Sequence, residues 1–292
     1  VAAGLLIVNP FASGVDERLV AAVAAALPPG VETVRTERRG EATELTRDAV
    51  GSVDAIYVYA GDGTYNEVLN GIDSHTPLGL VPGGGTSVLP RALGLPRDPV
   101  AAARRIAAGG ERRIGLGRVN GRRFGFSAGI GLDAELVRAV DRLGRKADGR
   151  RPGDLRFVLA AARLLATHRG RFDPVLELEG LGRAAFVLVA NCTPYTYLGR
   201  RGLAIAPEAR FELGLDVVAP VRVRARTLPR LARYALLGRG QRGAGDVLYG
   251  HDLDLVVVRA DRPMPLQVDG EDLCDVTEAV LEAERDAVIV LV

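Results

Sequence analysis

The apolar positions of this chain change character near residue 110. Before it, Gly4 to Val8 is an unbroken apolar run halted by Asn9-Pro10, and Ala55 to Tyr59 is another, ending in Gly61-Asp62-Gly63-Thr64. Runs without alternation suit parallel strands covered on both faces. Val31 to Thr36 and Pro77 to Val81 read as two further strands. Helical patterns lie between them. One runs from about Val15 to Leu27, opened by Ser13-Gly14 and closed by Pro28-Pro29-Gly30, and a second from Gly40-Glu41 to about Val50. A third opens at Thr64-x-x-Glu67, the spacing of a capping box. A segment after Thr86 is interrupted at Pro90, and Asp98 to Ala108 ends at Gly109-Gly110. Strands alternating with helices predict a parallel sheet with right-handed crossovers.

Beyond this point short β-prone runs dominate. Arg112 to Val119, Arg122 to Ser127, Val175 to Leu178, Ala184 to Ala190, Asp216 to Ala219, Leu253 to Arg259, Leu266 to Val268 and Ala287 to Val292 read as strands, some joined by turns such as Asn120-Gly121. They predict a second, mainly antiparallel β domain. Three helices interrupt it. Asp133 is placed to cap Ala134 to about Leu143, after a turn at Ala128-Gly129-Ile130-Gly131; Asp154 to His168 follows a basic loop of Arg142, Arg145, Lys146, Arg150 and Arg151. Thr227 to Leu237 aligns Leu228, Leu231, Tyr234 and Leu237 on one face, with Arg226, Arg230, Arg233 and Arg239 available to the other. Such a segment can pack on a core or lie on an anionic membrane surface. The expected domains are 1–120, with a C-terminal strand at 276–292 able to pack back on it, and 121–275.

Composition narrows the function. With 48% apolar and 25% charged residues, the 292-residue chain has a soluble globular balance, and no run reaches the roughly 18 apolar residues of a membrane span. A net charge of +2, with no basic stripe carrying aromatics, excludes nucleic acid as the expected partner. Cys192 and Cys274 form no metal or disulfide pattern, which makes a cytoplasmic setting the default. The only lysine, Lys146, does not follow a glycine loop, so a Walker-type phosphate loop is excluded. His75, His168 and His251 are isolated, leaving carboxylates as the expected general bases.

Ligands of parallel sheets sit beyond the carboxyl ends of the strands. Asn9 to Gly14, Thr36, Gly61 to Thr64 and Gly83 to Thr86 all fall there. The glycines allow close backbone approach, and a helix N-terminus offers amides to an anion. Asp62 sits awkwardly in such a phosphate cradle, since a carboxylate about 4 Å from a phosphate charge costs about 4 kcal/mol at an effective dielectric of about 20. A metal ion or a proton-transfer role resolves the conflict; an ordinary capped turn is the plainer alternative.

Together these loops resemble the diacylglycerol kinase and sphingoid-base kinase family of lipid kinases, in its soluble bacterial form. The matching residues are Asn9-Pro10 with Ser13-Gly14, Thr36 with Gly40, Gly61-Asp62-Gly63-Thr64 with Asn66-Glu67 and Asn70-Gly71, Pro82 to Thr86 with Arg91 to Gly94, Ala128 to Asp133, Tyr195 to Gly199 with Pro207 to Ala209, and Val268-Asp269-Gly270-Glu271. The resemblance implies an α/β N-terminal domain like those of NAD kinases and diacylglycerol kinases, a mainly β acceptor domain, and transfer from ATP with Mg²⁺ to a diacylglycerol-like lipid. It further implies nucleotide contacts from Asn9, Ser13, Thr36, Gly61, Asp62, Gly63, Thr64, Asn66, Glu67, Gly83, Gly84, Gly85, Thr86 and Asp269, with Glu271 as base and Asp62 as its rival. Without the resemblance, Asp269-Gly270 reads as a hairpin turn.

Three departures stand out: Ser87 replaces a usual Asn and Pro90 follows it; Leu213-Gly214 replaces a metal-site Asp-Gly pair, leaving Asp216 as the nearest candidate metal ligand; and Cys274 stands where a glycine is common. The alternatives are a kinase for a sphingoid base or another long-chain alcohol, and a catalytically weak nucleotide-binding module. The lipid is expected at the membrane surface, with transient association, and a homodimer stays open.

Overall fold

Val8 stands opposite Arg35 on one side and Tyr59 on the other, and this register organises the first sheet. The computed structural model describes residues 4–142 and 154–292. They fall into two units, one of residues 4–116 with Arg285–Val292, the other of residues 117–142 and 154–284. Arg145, Lys146, Arg150 and Arg151 of the expected basic loop lie outside the described residues.

In the first unit the chain alternates β1 (Gly4–Val8), α1 (Glu17–Ala26), β2 (Val31–Arg35), α2 (Glu41–Ala49), β3 (Ala55–Ala60), α3 (Asp62–Leu69), β4 (Leu78–Pro82), α4 (Val88–Ala92) and α5 (Pro99–Ala108), then enters β5 (Glu111–Val119). The parallel order is β2, β1, β3, β4, and Val290 near the end of the chain adds a parallel partner opposite Leu78. Every residue of β3 and β4 is buried, as unbroken apolar runs require, whereas β2 at the edge is largely exposed. Each fully buried Leu, Ile or Val here contributes about 1.5–3 kcal/mol.

The helix starts differ from the sequence reading. Asp16, rather than Ser13-Gly14, caps α1 by accepting from the Arg18 amide. Helix α3 begins at Asp62 behind Gly61, so Thr64 and Glu67 form no capping box. Pro90 does not interrupt α4, because it sits in the first turn, where its missing N–H has no helical acceptor to lose.

The second unit holds β6 (Arg122–Phe124), β7 (Ser127–Ile130), α6 (Leu132–Arg142), α7 (Asp154–Thr167), β8 (Leu176–Leu178), β9 (Gly182–Ala184), β10 (Val187–Ala190), β11 (Thr196–Leu198), β12 (Arg201–Leu203), β13 (Leu215–Pro220), α8 (Leu228–Leu237), β14 (Val247–Leu253), β15 (Leu255–Val268) and β16 (Glu271–Leu291), the last leading into the first unit. The order β14, β13, β10, β7, β15, β16 is antiparallel throughout. One core packs Phe124, Ile130, Val189, Val217, Val258 and Leu281; another gathers Phe186, Tyr195, Val218 and Val223 among the buried residues. The division into parallel and antiparallel halves is the one the hydrophobic pattern predicts. Ala128–Ile130 is strand rather than turn, and one long β15 replaces two separate runs, its pairing shifting register between Arg259 and Met264.

Candidate functional site

Because β1, β2, β3 and β4 are in register, the residues just past them emerge side by side. The ladder continues one step: the Asn9 amide donates to Tyr59 O, Thr36 to Val8 O and Gly83 to Ala60 O. Asn9 Nδ2 then donates to Thr64 Oγ1 at 2.8 Å, and its Oδ1 accepts from the Phe11 amide at 2.9 Å. Gly14 N donates to Gly83 O at 2.8 Å. A Cβ on Gly84 would lie 2.9 Å from Gly61 Cα, and one on Gly14 would lie 2.9 Å from Gly83 O. These glycines let the loops pack on one another. Gly85 is different: it is exposed, and its added Cβ would meet Ser13 Oγ at 3.6 Å, an ordinary contact. Behind this open face, α3 begins with no side chain capping its first-turn amides.

The polar residues of the rim divide into two sets. Ser13, Gly63 and Thr86 are partly exposed, whereas Thr36, Thr64 and Asn66 are buried. Glu67 accepts from the amides of Gly40 at 2.9 Å and Ala42 at 3.3 Å, so its carboxylate holds the start of α2. Asp62 Oδ1 accepts from Val88 N at 2.7 Å, supplying the cap that Ser87 does not. Ser87 has φ 49°, a conformation that favours Asn or Gly over Ser, and its hydroxyl bridges Gly84 N and Gly84 O. One contributor was not foreseen. The buried Tyr65 hydroxyl lies 2.7 Å from both Ala60 O and Val81 O, tying the ends of β3 and β4 together. Burial pushes its pKa well up, so it stays a donor.

In the second unit, Asp269 (φ 49°) and Gly270 (φ 77°) form the two-residue turn between β15 and β16, with Val268 opposite Glu271. The Asp269 carboxylate accepts from the amides of Gly125 at 2.7 Å, Phe126 at 2.9 Å and Ser127 at 3.1 Å, and is 2% exposed. Those three amides hold the carboxylate in place. Glu271, one residue beyond the turn, is partly exposed.

The turn is braced from below. Gln267 Oε1 accepts from Gly270 N, while its Nε2 donates to Asp133 Oδ2 at 2.7 Å and Tyr195 Oη at 3.0 Å; Tyr195 donates to the same Asp133 oxygen at 2.8 Å. Asp133 is therefore no helix cap. Burial raises its carboxyl pKa, against the hydrogen bonds of Tyr195 and Gln267.

Asp216 is wholly buried and accepts from His251 Nδ1 at 2.8 Å, Asp252 N at 3.1 Å and Tyr249 Oη at 3.3 Å. Among the described residues there is no group of three or more His, Cys, Asp or Glu that could hold a metal.

The second unit also contains an almost wholly apolar cavity of about 400 Å³. Leu136, Leu164, Phe186, Val218, Leu231 and Tyr234 are among its walls. Leu228, Leu231 and Tyr234 of the expected apolar face of α8 thus line the cavity, whereas Leu237 is exposed, as are Arg226, Arg230, Arg233 and Arg239. No helix among the described residues is long and apolar enough to cross a membrane.

Comparison with known proteins agrees with this division. Residues 3–119 match the diacylglycerol kinase catalytic domain, and residues 127–292 match the YegS C-terminal NAD kinase beta sandwich-like domain. A diacylglycerol kinase of Bacillus subtilis is 40% identical over 110 residues, which is 36% of this chain and 36% of that protein. One from Staphylococcus saprophyticus is 39% identical over 93 residues, 30% of each chain. The chain thus aligns with about a third of the length of these curated relatives. A crystal structure of a diacylglycerol kinase from Bacillus anthracis superposes with a TM-score of 0.72 at 21% identity, covering 99% of this chain and 96% of that one. An NAD kinase from Archaeoglobus fulgidus, solved in complex with ATP, gives 0.51 at 13% identity, covering 99% and 93%. At these identities the structures speak for the fold.

Proposed function

Given that the chain belongs to the YegS-like family of lipid kinases, whose two domains match residues 3–119 and 127–292, we propose that it transfers the γ-phosphate of ATP to the hydroxyl of a diacylglycerol-like lipid. The cavity under α8 carries this reading, because an almost wholly apolar space of about 400 Å³ suits an aliphatic chain and no soluble phosphate acceptor.

The first unit supplies the donor site. Backbone amides at Gly63 in the first turn of α3 and at Gly85 and Thr86 of the β4–α4 loop cradle the phosphates, doing the work of the absent phosphate-loop lysine. Ser13 and Thr86 add hydroxyl donors. Mg²⁺ fits as a cation brought in by the nucleotide, held by phosphate oxygens with Asp62, since Mg²⁺ needs only one or two carboxylates. When bound it neutralises charge on the β- and γ-phosphates. The second unit supplies the chain cavity and Glu271. Glu271 takes the acceptor proton; Asp62, with one oxygen held by Val88 N, stays with the phosphates. The exposed arginines of α8 favour an anionic membrane surface as the place where the lipid is met.

The test is a panel of acceptors in matched detergent, with ATP and Mg²⁺. Transfer to diacylglycerol above a sphingoid base, a long-chain alcohol and a soluble polyol supports the proposal. Transfer to the polyol alone, or to none, contradicts it.

A further inference from the structure

The hairpin that carries Glu271 is irregular just beyond its turn. Glu271 stands opposite Val268 and Asp272 opposite Gln267, but the next residue of β15, Leu266, stands opposite Cys274. Leu273 is therefore one extra residue in β16, a β-bulge two positions past Glu271.

A bulge changes which face the side chains beyond it take. Asp272 and Asp275 are three positions apart, and in a regular strand they would lie on opposite faces. The extra residue returns them to one face: Asp272 is opposite Gln267 and Asp275 opposite Pro265, two positions apart on β15. Helix α6 meets this face, since Gln267 bonds Asp133 of that helix. Arg138, also on α6, closes on both carboxylates. Its Nε and Nη2 donate to Asp272 Oδ2 and Oδ1, each at 2.9 Å, and Nη2 donates to Asp275 Oδ1 at 2.6 Å. One guanidinium grips β16 on either side of the bulge. The Arg138 and Asp272 side chains are 23% and 26% exposed and meet as a two-pronged fork, so this is no loosely solvated surface pair.

The two regular ladders available to this hairpin both break that grip. With Asp275 kept opposite Pro265, a ladder without the bulge puts Asp272 opposite Val268, on the far face, and drops Glu271 into the turn. With Glu271 kept opposite Val268, it is Asp275 that moves to the far face. The bulged register alone satisfies all three bonds to Arg138.

Resting on the reading of Glu271 as the base, we propose that Arg138 is a positioning residue for it: by holding Asp272 and Asp275 across the bulge, it fixes the register in which Glu271 leaves the turn.

The test combines steady-state kinetics of phosphate transfer to diacylglycerol with amide hydrogen exchange, on the full chain and on Arg138→Met, which keeps an apolar stem and removes the fork. Arg138→Met is expected to lower kcat roughly 10- to 100-fold with KM for ATP unchanged, and to speed exchange from Glu271 to Asp275. Asp275→Asn, an exposed change outside the turn, is expected to lower kcat by a smaller factor, and it carries the same test where Arg138→Met does not fold. In a Glu271→Gln background, Arg138→Met is expected to cost nothing more, because the grip acts through Glu271. Wild-type kcat in Arg138→Met and in Asp275→Asn overturns the inference, as does unchanged exchange in the hairpin. A further loss in the double variant also overturns it, making Arg138 a general support of the fold. Wild-type protein that labels no lipid, or Glu271→Gln at full rate, removes the reading of Glu271 and the inference with it; faster exchange in Arg138→Met tells that failure apart from a failure of the grip.

Discussion

Gly270 donates its amide to Gln267 Oε1 at 2.9 Å, so the turn before Glu271 hangs from a buried side chain three residues upstream. The opposite end of that side chain is fixed to Asp133 and Tyr195. Gln267→Met keeps the volume and removes these bonds. Since a 1 Å misplacement can cost about 100-fold in rate, kcat is expected to fall roughly 10- to 100-fold with KM for ATP unchanged. Steady-state kinetics on a variant with wild-type circular dichroism checks this; an unchanged kcat shows that the turn needs no brace.

Asp133 makes stability depend on pH in an unusual direction. Burial raises its carboxyl pKa above the unfolded value, so folding favours the protonated form. That contribution is full below the unfolded pKa of about 3.9 and is lost as pH rises through the folded value. Asp133→Asn carries no such titration. Its stability relative to wild type is expected to improve as pH rises above about 3.9 and through the folded value, as read from urea denaturation at each pH. A difference independent of pH contradicts the assignment.

The glycines of the β4–α4 loop separate packing from ligand approach. Gly84→Ala sets a Cβ 2.9 Å from Gly61 Cα, backbone against backbone, and is expected to cost about 1–3 kcal/mol in stability. Gly85→Ala meets only Ser13 Oγ at 3.6 Å and is expected to leave the melting temperature within about 2 °C while weakening ATP binding. Thermal melts and calorimetry on the two variants give the comparison. Equal melting losses would show that both glycines serve packing alone.

How much of this was legible in the sequence depends on the range of the interaction. The rim was readable because a parallel sheet in register brings Asn9, Thr36, Gly61 and Gly83 to one edge, and each lies next to its own strand. The roles of Glu67 and Asp133 were not. Glu67 looks like a local cap for α3, yet it serves α2 across 27 positions; Asp133 looks like a cap for α6, yet its partners lie 62 and 134 positions away. Such pairings leave no periodic trace. The cavity was hidden for a related reason: the apolar stripe of α8 is the same whether it faces a packed core or an open space.

Filling that space tests its use. Ala235 and Ala161 line the cavity, and Ala235→Phe places a ring in it. KM for long-chain acceptors is expected to rise roughly 10-fold, with short-chain acceptors and ATP unaffected. A uniform loss for all acceptors would mean that the chain lies elsewhere.

The most direct measurement is transfer of radiolabelled phosphate from ATP to diacylglycerol by wild-type protein and by Glu271→Gln, with Mg²⁺ in mixed micelles. The account predicts labelled lipid from the wild type, a loss of at least about 100-fold in kcat for Glu271→Gln, and ATP binding equal in both. Labelled lipid formed at the wild-type rate by Glu271→Gln would contradict it.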